Sequence, residues 1–266
     1  MRLRIRHQSN YSYDSPLDYA LQQIRLRPKT RAGQAVLNWN LRIEGGHKEL
    51  EFDDHHNNHV DLVAIDPGHH EVHITFEGTV ETTDQAGIIG KHGGYAPLWL
   101  FMRSSDLTMP GTGVGKLLKD LGTEFDSDIA RIHALSSLVL ATITYQTDRT
   151  HIGTTAEEAL RAGHGVCQDH AHVFITAARL LGYPARYVSG YLMLTDRIAQ
   201  DASHAWAEVH LDDIGWVGFD VSNGISPDER HVRIATGLDY SEAAPVSGLR
   251  FGDTTESMVV TLQVEQ

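Results

Sequence analysis

One short segment combines residue types that could do covalent chemistry. Residues 163–174, "GHGVCQDHAHVF", contain the single cysteine of the chain, Cys167. Gly163 and Gly165 permit a tight approach, and the apolar run that follows predicts a helix beginning at Cys167. Unpaired N–H groups and the positive end of the dipole stabilise a thiolate at a helix start. A lone cysteine also often fills core space, so this segment alone leaves both readings open.

A nucleophilic cysteine needs a base, and the base needs a group to orient it. "SHAWAEVH" places His204 at the start of an alternating strand, and "WVGFDV" places Asp220 at the end of the next strand. If the hairpin loop between them has an odd number of residues, both side chains project from one face, near the same end. An even loop without a bulge separates them. The spacing therefore allows a Cys–His–Asp triad.

The helices and strands that position these residues can be predicted from the spacing at which apolar residues recur. Alternation predicts strands in the first hundred residues at 2–13, 36–45, 59–66 and 70–83. A connector interrupted by proline and glycine begins near residue 94. After it, apolar residues at helical spacing predict helices within 126–145, 155–163 and 166–184. Strand patterns return at 185–194, 203–212, 215–221 and 255–266. We therefore predict an α+β protein, with an antiparallel, sandwich-like β domain over 1–105 and an α+β core with a closing β segment over 106–266.

Composition excludes several function classes. The net charge of −13 opposes binding to a nucleic-acid backbone or an anionic membrane. A single cysteine excludes an internal disulfide framework and zinc sites made of several thiolates. The sequence has neither a signal-like apolar region at its start nor a run of about 18 apolar residues. We expect a cytoplasmic protein without nucleic-acid or membrane partners; the sequence does not define its oligomeric state.

The motif segments resemble the bacterial transglutaminase-like superfamily, which includes cysteine proteases with a papain-like arrangement. Three ordered motifs carry the resemblance: Gly165-x-Cys167-x-Asp169, His204-Ala205-Trp206, and Gly215-Trp216 followed by Asp220. The segment from Gly237 to Gly248 resembles the closing motif of the family. The β-rich opening resembles the N-terminal domain that often precedes this core in bacteria.

The resemblance implies a papain-like or transglutaminase-like core that catalyses acyl transfer without metal or organic cofactor. Cys167 would attack an amide carbonyl, His204 would carry the proton, and Asp220 would fix the imidazole tautomer. The Cys167 N–H is one oxyanion donor, and the family indicates a second near Tyr145 or Gln146. Water as acceptor gives a peptidase or amidase, whereas a lysine amine gives a protein-glutamine transglutaminase. A non-catalytic binding module on the same fold is a third reading.

Two departures from the family pattern stand out. After the triad aspartate the family usually reads Pro-Thr-x-Gly, where this chain has Val221, Ser222, Asn223 and Gly224. In the opening domain, Asn57 and Asn58 replace a common Gly-Asn pair, and asparagine tolerates the left-handed conformation that such a turn requires. Neither departure removes a group of the expected triad.

Histidine-rich turns raise a metal alternative. Six histidines lie near β turns of the opening domain: His55, His56, His59, His69, His70 and His73. Imidazoles and carboxylates at this density can bind zinc, but the spacing matches no helical His-Glu-x-x-His motif. We expect solvated turns and no metal site. His170 and His172, which follow the cysteine, are expected to point away from it and to have packing or surface roles.

Overall fold

The structure is a computed structural model and describes residues 1–15, 19–200, 202–251 and 255–266. Within these residues the strands are, in chain order, β1 (Arg2–Tyr13), β2 (Tyr19–Arg27), β3 (Gln34–Glu44), β4 (Gly46–Asp53), β5 (His59–Ile65), β6 (Glu71–Thr82), β7 (Ile88–Gly90), β8 (Thr144–Tyr145), β9 (His164–Gly165), β10 (Ala185–Leu192), β11 (Ala199–Gln200), β12 (His204–Leu211), β13 (Gly215–Phe219), β14 (His231–Gly237), β15 (Val246–Phe251) and β16 (Glu256–Glu265). The α-helices are α1 (Thr112–Leu121), α2 (Asp128–Thr142), α3 (Ala156–Ala162), α4 (Cys167–Leu180) and α5 (Tyr240–Ala243).

Two antiparallel sheets form a sandwich from the N-terminal strands and the last strands of the chain. One has the order β11-β16-β1-β6-β3 and the other β15-β2-β5-β4. Every second residue of β1 is buried over most of its length, because one face of its sheet meets the core and the other meets water. Leu3 and Ile5 of β1 share that core with Ile24 of β2 and Val63 of β5. The alternating pattern therefore predicted β1, β3, β5, β6 and β16, whereas β2, β4, β11 and β15 were not predicted.

The sandwich is completed by the far end of the chain. β16 pairs with β1 along ten residue pairs, from Arg4 with Glu265 to Tyr13 with Glu256, and β15 pairs with β2. β7, near the end of the first hundred residues, pairs instead with β13. The limits 1–105 and 106–266 thus stay a prediction, and the strand pairing crosses them in both directions.

A second five-stranded sheet, which we call the central sheet, has the order β14-β10-β12-β13-β7. Helix α4 packs on β10 and β12, and Phe174 of α4 meets Phe219 of β13 with ring centroids 5.2 Å apart. All eight residues of β10 are buried, because the central sheet is covered on both faces. With 44% strand and 23% helix, the protein has the expected α+β class, with an N-terminal β region and a mixed core.

The helices begin and end at residues whose types favour helix caps. The Ser127 hydroxyl accepts a hydrogen bond from the Ala130 N–H and begins α2, and Thr155 with Glu158 forms a capping box at α3. Gly163 ends α3 in the left-handed region, with φ of 72°. Asn57 also adopts positive φ, 62°, as expected for its turn. None of the described helices has both the length and the apolar character needed to cross a membrane.

Candidate active site

Cys167 is the first residue of α4 and is partly exposed, as a reactive thiol must be. Asp169, two residues later, fixes this helix start: its Oδ2 accepts hydrogen bonds from the Val166 N–H at 2.8 Å and the Thr150 hydroxyl at 2.7 Å. A Cβ on Gly165 would lie 2.6 Å from the Asp169 Cβ, so glycine is required by this close approach. The predicted structural role of Asp169 agrees with these contacts.

The β12–β13 hairpin brings His204 and Asp220 together. Leu211 pairs with Gly215, which leaves a turn of three residues, 212–214, and so satisfies the odd-loop condition. Continuing this register places Asp220 opposite Trp206, and His204 lies two residues before Trp206 on the same strand face. The two side chains therefore meet, with His204 Nε2 2.8 Å from Asp220 Oδ2.

His204 also contacts the cysteine. Its ring is hydrogen-bonded to Asp220 and to Cys167. Since Nε2 is engaged by the carboxylate, Nδ1 is the ring nitrogen left for the thiol. Burial works against the charged imidazole, but the hydrogen bonds to Asp220 and Cys167 raise the pKa of His204 to about 10. The arrangement therefore favours an imidazolium beside the sulfur.

Asp220 is fully buried and is held by several donors. Its Oδ2 accepts from His204, from Asn223 Nδ2 at 2.7 Å and from His231 Nε2 at 3.1 Å, and its Oδ1 accepts from the Ser222 hydroxyl at 3.1 Å. Burial alone would raise the pKa of Asp220, but the hydrogen bonds from His204 and His231 hold it well below its usual value. The carboxylate thus stays ionised.

Sequence reasoning missed three of these donors. Ser222 stands where the family has threonine and Asn223 at the variable position after it, and both side chains donate hydrogen bonds to Asp220. His231 begins β14, a strand that was not predicted. Alternation of polar and apolar residues in "HVRIAT" was the signal that could have revealed that strand.

His231 lies between two carboxylates. Its Nδ1 lies 3.1 Å from both the Asp228 backbone nitrogen and Asp228 Oδ1, and its Nε2 lies 3.1 Å from Asp220 Oδ2. Its side chain is 2% exposed, and the ring meets Trp206 edge to face with centroids 5.4 Å apart. His231 therefore holds Asp220 through Oδ2, the same oxygen that bonds His204.

The two residues expected near the oxyanion are differently placed. The Gln146 N–H donates to the Gly165 carbonyl at 2.9 Å, so this main-chain donor is already engaged. Tyr145 is about half exposed, and burial together with the nearby charge of Cys167 raises its pKa. Cys167 itself, as the first helical residue, has no intrahelical partner for its N–H. Tyr145 and the Cys167 N–H thus stay the predicted donors.

The histidines that follow the cysteine are internal. His170 and His172 are both fully buried. His170 bonds the carbonyls of Val166 and Ile143, at 2.9 and 3.0 Å, and His172 Nε2 accepts from the Tyr240 N–H at 3.1 Å. Their role is packing, as expected. Gln168 Nε2 donates to the Ile152 carbonyl at 3.1 Å and so ties the cysteine's neighbour to the loop before α3.

The expectation of solvated histidine-rich turns is wrong for His56. Its side chain is 1% exposed and its Nε2 lies 2.7 Å from Glu242 Oε2, because the turn packs against the segment after β14.

Among the described residues, three groups have ligand atoms close enough to share a metal ion: His55 with His56 and Glu242, Glu51 with His59 and Asp61, and His204 with Asp220 and His231. The absence of a metal stays a prediction.

The fold and the site together are typical of one class of protein. In this class a cysteine at a helix start packs against an antiparallel sheet that carries a histidine and an aspartate, and a β region precedes this core. Residues 117–221 match the family model of the transglutaminase-like superfamily core, and residues 3–81 match that of the bacterial transglutaminase-like N-terminal region. Together the matches span more than two thirds of the chain. The resemblance stated from the motifs is confirmed: this chain has a transglutaminase-like core with the bacterial N-terminal region.

Similar proteins share this whole-chain organisation. An uncharacterised protein of Mycobacterium leprae is 24% identical over 284 residues, covering 99% of this chain and 98% of that protein. One from Mycobacterium tuberculosis is 26% identical over 285 residues, covering 97% and 90%. The crystal structure of a presumed cysteine protease from Cytophaga hutchinsonii superposes with a TM-score of 0.79 at 22% identity, over 100% of this chain and 91% of that one. This last likeness is one of fold.

Proposed function

We propose that the protein is a thiol-dependent acyl-transfer enzyme that hydrolyses peptide, isopeptide or amide bonds. One observation carries the proposal: the His204 ring is hydrogen-bonded on one side to Cys167 and on the other to the buried Asp220. A nucleophile, a base within hydrogen-bond reach and an orienting group are the three parts that covalent catalysis requires. The presumed cysteine protease of the same fold is consistent with this assignment.

The proposed reaction has two halves. In the first, the Cys167 thiolate attacks the carbonyl carbon, and the resulting oxyanion lies near the Cys167 N–H. His204 then gives its proton to the leaving nitrogen as the C–N bond breaks, which releases an amine and leaves a thioester. In the second, His204 removes a proton from water, the hydroxide adds to the thioester, and the C–S bond breaks to give a carboxylic acid. Asp220 keeps the ring oriented throughout.

The catalytic residues stay a proposal until activity is measured. We expect wild-type protein, screened against a library of peptide and side-chain amides, to release amine or ammonia, and Cys167→Ala to release none. His204→Ala should lower turnover by about 1,000-fold or more, as removing any member of such a triad does. His133→Ala, which changes a histidine of α2, is the matched control and should keep wild-type turnover.

The acceptor in the second half is decided by a companion assay. Including a labelled primary amine distinguishes transamidation from hydrolysis, since the thioester can react with either nucleophile. Incorporation of the amine in preference to water would replace the hydrolase proposal with a transglutaminase. Turnover that is the same in wild type and Cys167→Ala, or absent from wild type across the library, would contradict the enzyme proposal and favour a binding module.

A further inference from the structure

One buried carboxylate of the central sheet is bonded by two arginines of the neighbouring strands. Glu208 of β12 is fully buried, and it lies between Arg186 of β10 and Arg233 of β14. Arg233 donates from Nε to Oε1 at 2.6 Å and from Nη2 to Oε2 at 3.0 Å, while Arg186 Nε donates to Oε2 at 2.6 Å. Both oxygens of Glu208 are therefore engaged by these two guanidinium groups.

Arg31, in the connection between β2 and β3, adds a third guanidinium group to this cluster. Its main chain exchanges hydrogen bonds with that of Gln34 at 2.8 and 3.1 Å. The Gln34 side chain in turn donates to the Arg233 carbonyl at 3.0 Å and accepts from the Arg233 N–H at 2.8 Å. Through this connection Arg31 lies in the field of Arg233, Glu208 and Arg186.

Arg31 has no counter-charge of its own. Its Nε is buried and makes no hydrogen bond, and its side chain forms no ion pair with any carboxylate in the described part of the chain. Burial, and then the positive charge of Arg233, lower the pKa of Arg31 to about 9, so the group still carries its charge at neutral pH. A buried charge without a partner is costly, and it indicates a place for an anion.

The charges and the free donors of the cluster specify that anion. Three guanidinium groups and one carboxylate leave two positive charges. Toward the described residues, the side chain of Arg186 donates only from Nε, and that of Arg233 only from Nε and Nη2. The remaining N–H groups suit the oxygens of a tetrahedral oxyanion, which guanidinium groups bind through paired donors. A doubly charged oxyanion balances the cluster, whereas chloride would balance half of it.

The cluster is rigid and narrow. Arg186 stacks on Trp216, with Cζ 3.8 Å from the ring centroid, which fixes the plane of its guanidinium group. Arg186 and Arg233 are each 8% exposed, and Arg31 is partly exposed, so solvent reaches the cluster through a small opening. Such an opening favours a small ion over a large ligand.

We propose that Arg31, Arg186 and Arg233 form a binding site for a doubly charged tetrahedral oxyanion of the phosphate or sulfate type. The ion would accept from their free N–H groups and would tie the connection before β3 to the central sheet. The site is separate from the candidate active site, because Glu208 lies four residues along β12 from His204, about 13 Å at strand spacing. The inference goes beyond the proposed function and does not depend on it.

Binding is measured by calorimetric titration of the full-length protein with sodium sulfate, at neutral pH and constant ionic strength, with sodium chloride as the reference. Wild type should bind one sulfate per chain, at least about tenfold more tightly than chloride. Arg31→Leu should weaken sulfate binding about tenfold or more, since it removes charge-assisted hydrogen bonds. Arg31→Lys, which keeps the charge and loses the fork, should have intermediate affinity. Arg42→Leu, which changes a 79% exposed arginine of β3, is the matched control and should bind as wild type does.

Stability distinguishes an anion site from an arginine that only supports the fold. Without a divalent anion, Arg31→Leu should unfold at a higher urea concentration than wild type, because it removes an uncompensated buried charge. Sulfate should raise the urea midpoint equally in wild type and Arg42→Leu, and by less than about half as much in Arg31→Leu. The general effect of sulfate on folding is common to all three proteins and cancels in this comparison.

A last arm identifies the source of the oxyanion. Inorganic phosphate and phenyl phosphate carry the same group, but the phenyl ring needs a wider opening. We expect inorganic phosphate to compete with sulfate and phenyl phosphate to bind about tenfold more weakly. Equal affinity would still support the oxyanion site and would assign it to a phosphate group carried by a larger molecule.

The proposal can fail in two ways. Sulfate that binds wild type no more tightly than chloride would overturn it. Sulfate affinity that is the same in Arg31→Leu as in wild type, with Arg31→Leu the less stable protein in the absence of sulfate, would show a purely structural arginine and would overturn it as well. Neither result depends on whether the protein hydrolyses amides.

Discussion

An ion pair at the surface of the sandwich and a charge cluster inside the central sheet differ in their exposure to water. In the sandwich, Glu81 and Arg2 face each other 3.4 Å apart with side chains 50% and 67% exposed. In the central sheet, the fully buried Glu208 is bonded to Arg186 and to Arg233, each at 2.6 Å. Burial alone would raise the pKa of Glu208, but the two guanidinium groups lower it to about 2. The Arg2–Glu81 pair is exposed to water, whereas Glu208 and its two arginines have no solvent to replace a lost partner.

This difference predicts which single substitutions will change the free energy of unfolding most. A buried ion pair adds little net stability compared with an apolar core, but breaking one leaves an uncompensated charge. The central sheet carries His204 and Asp220 on the strand face that also carries Glu208, so its buried charges support the geometry of the site. Exposed pairs such as Arg2–Glu81 tolerate substitution better.

The largest expected effect is therefore on folding. Glu208→Gln should lower the free energy of unfolding by about 3–5 kcal/mol, since it leaves Arg186 and Arg233 buried without a counter-charge. Glu81→Gln should cost less than about 1 kcal/mol, because the pair with Arg2 is exposed. Urea unfolding of both variants measures the comparison. Similar losses in the two would show that the central sheet is not the more sensitive region.

The pH dependence of stability should have two distinct limbs. Burial lowers the pKa of His7 in the sandwich, and of His172 in α4, to about 4, from an ordinary 6.5. The unfolded chain then binds more protons between these values, so stability is lost as pH falls from 6.5 to 4. His204, with a pKa raised to about 10, contributes stability that is present below 6.5 and lost as pH rises through 10.

Each limb can be assigned by one variant. His7→Gln should make the acid loss, on the order of 2–3 kcal/mol per histidine, shallower by about half. It should leave the alkaline limb unchanged, and His204→Gln should do the reverse. Urea unfolding at a series of pH values gives both slopes. If His7→Gln left the acid slope as it is in wild type, the sandwich histidine would have no part in acid unfolding.

A smaller effect is expected from the positioning residue His231. His231→Leu removes one donor from Asp220 and should slow iodoacetamide alkylation of Cys167 by about tenfold, the value of one such hydrogen bond. His231→Gln, which keeps a donor, should restore most of the rate and the pH profile. His210→Leu, a buried histidine of the same sheet away from Asp220, is the control. Equal rates in His231→Leu and wild type would refute this role.

The sequence predicted the parts of the site that local rules govern. The start of α4 at Cys167 follows from glycine and the apolar run. For His204 and Asp220 the sequence left the loop parity open, and the three-residue turn of the structure brings them together. Both depend on residues within one helix or one hairpin. Their roles in catalysis are still proposals, but their placement was accessible to reasoning from period and spacing.

The parts that escaped prediction depend on distant partners. The alternating pattern of β16 does not identify β1, more than two hundred residues away, as its pairing partner. Any strand with alternating polar and apolar residues could occupy that edge of the sheet. His231 reaches Asp220 only because β14 lies beside β10, and His56 is buried only because Glu242 packs over its turn. Such contacts follow from tertiary packing, which local patterns do not contain.

The most direct test of the central claim is the rate at which iodoacetamide alkylates Cys167 at about pH 6, where an ordinary thiol is almost wholly protonated. The label is unambiguous because the chain has one cysteine. If His204 and Cys167 form an ion pair steadied by Asp220, wild-type protein should react about 100-fold faster than His204→Ala under these conditions. Equal, slow rates with the same pH dependence in both proteins would contradict the pair, and with it the proposed acyl-transfer chemistry.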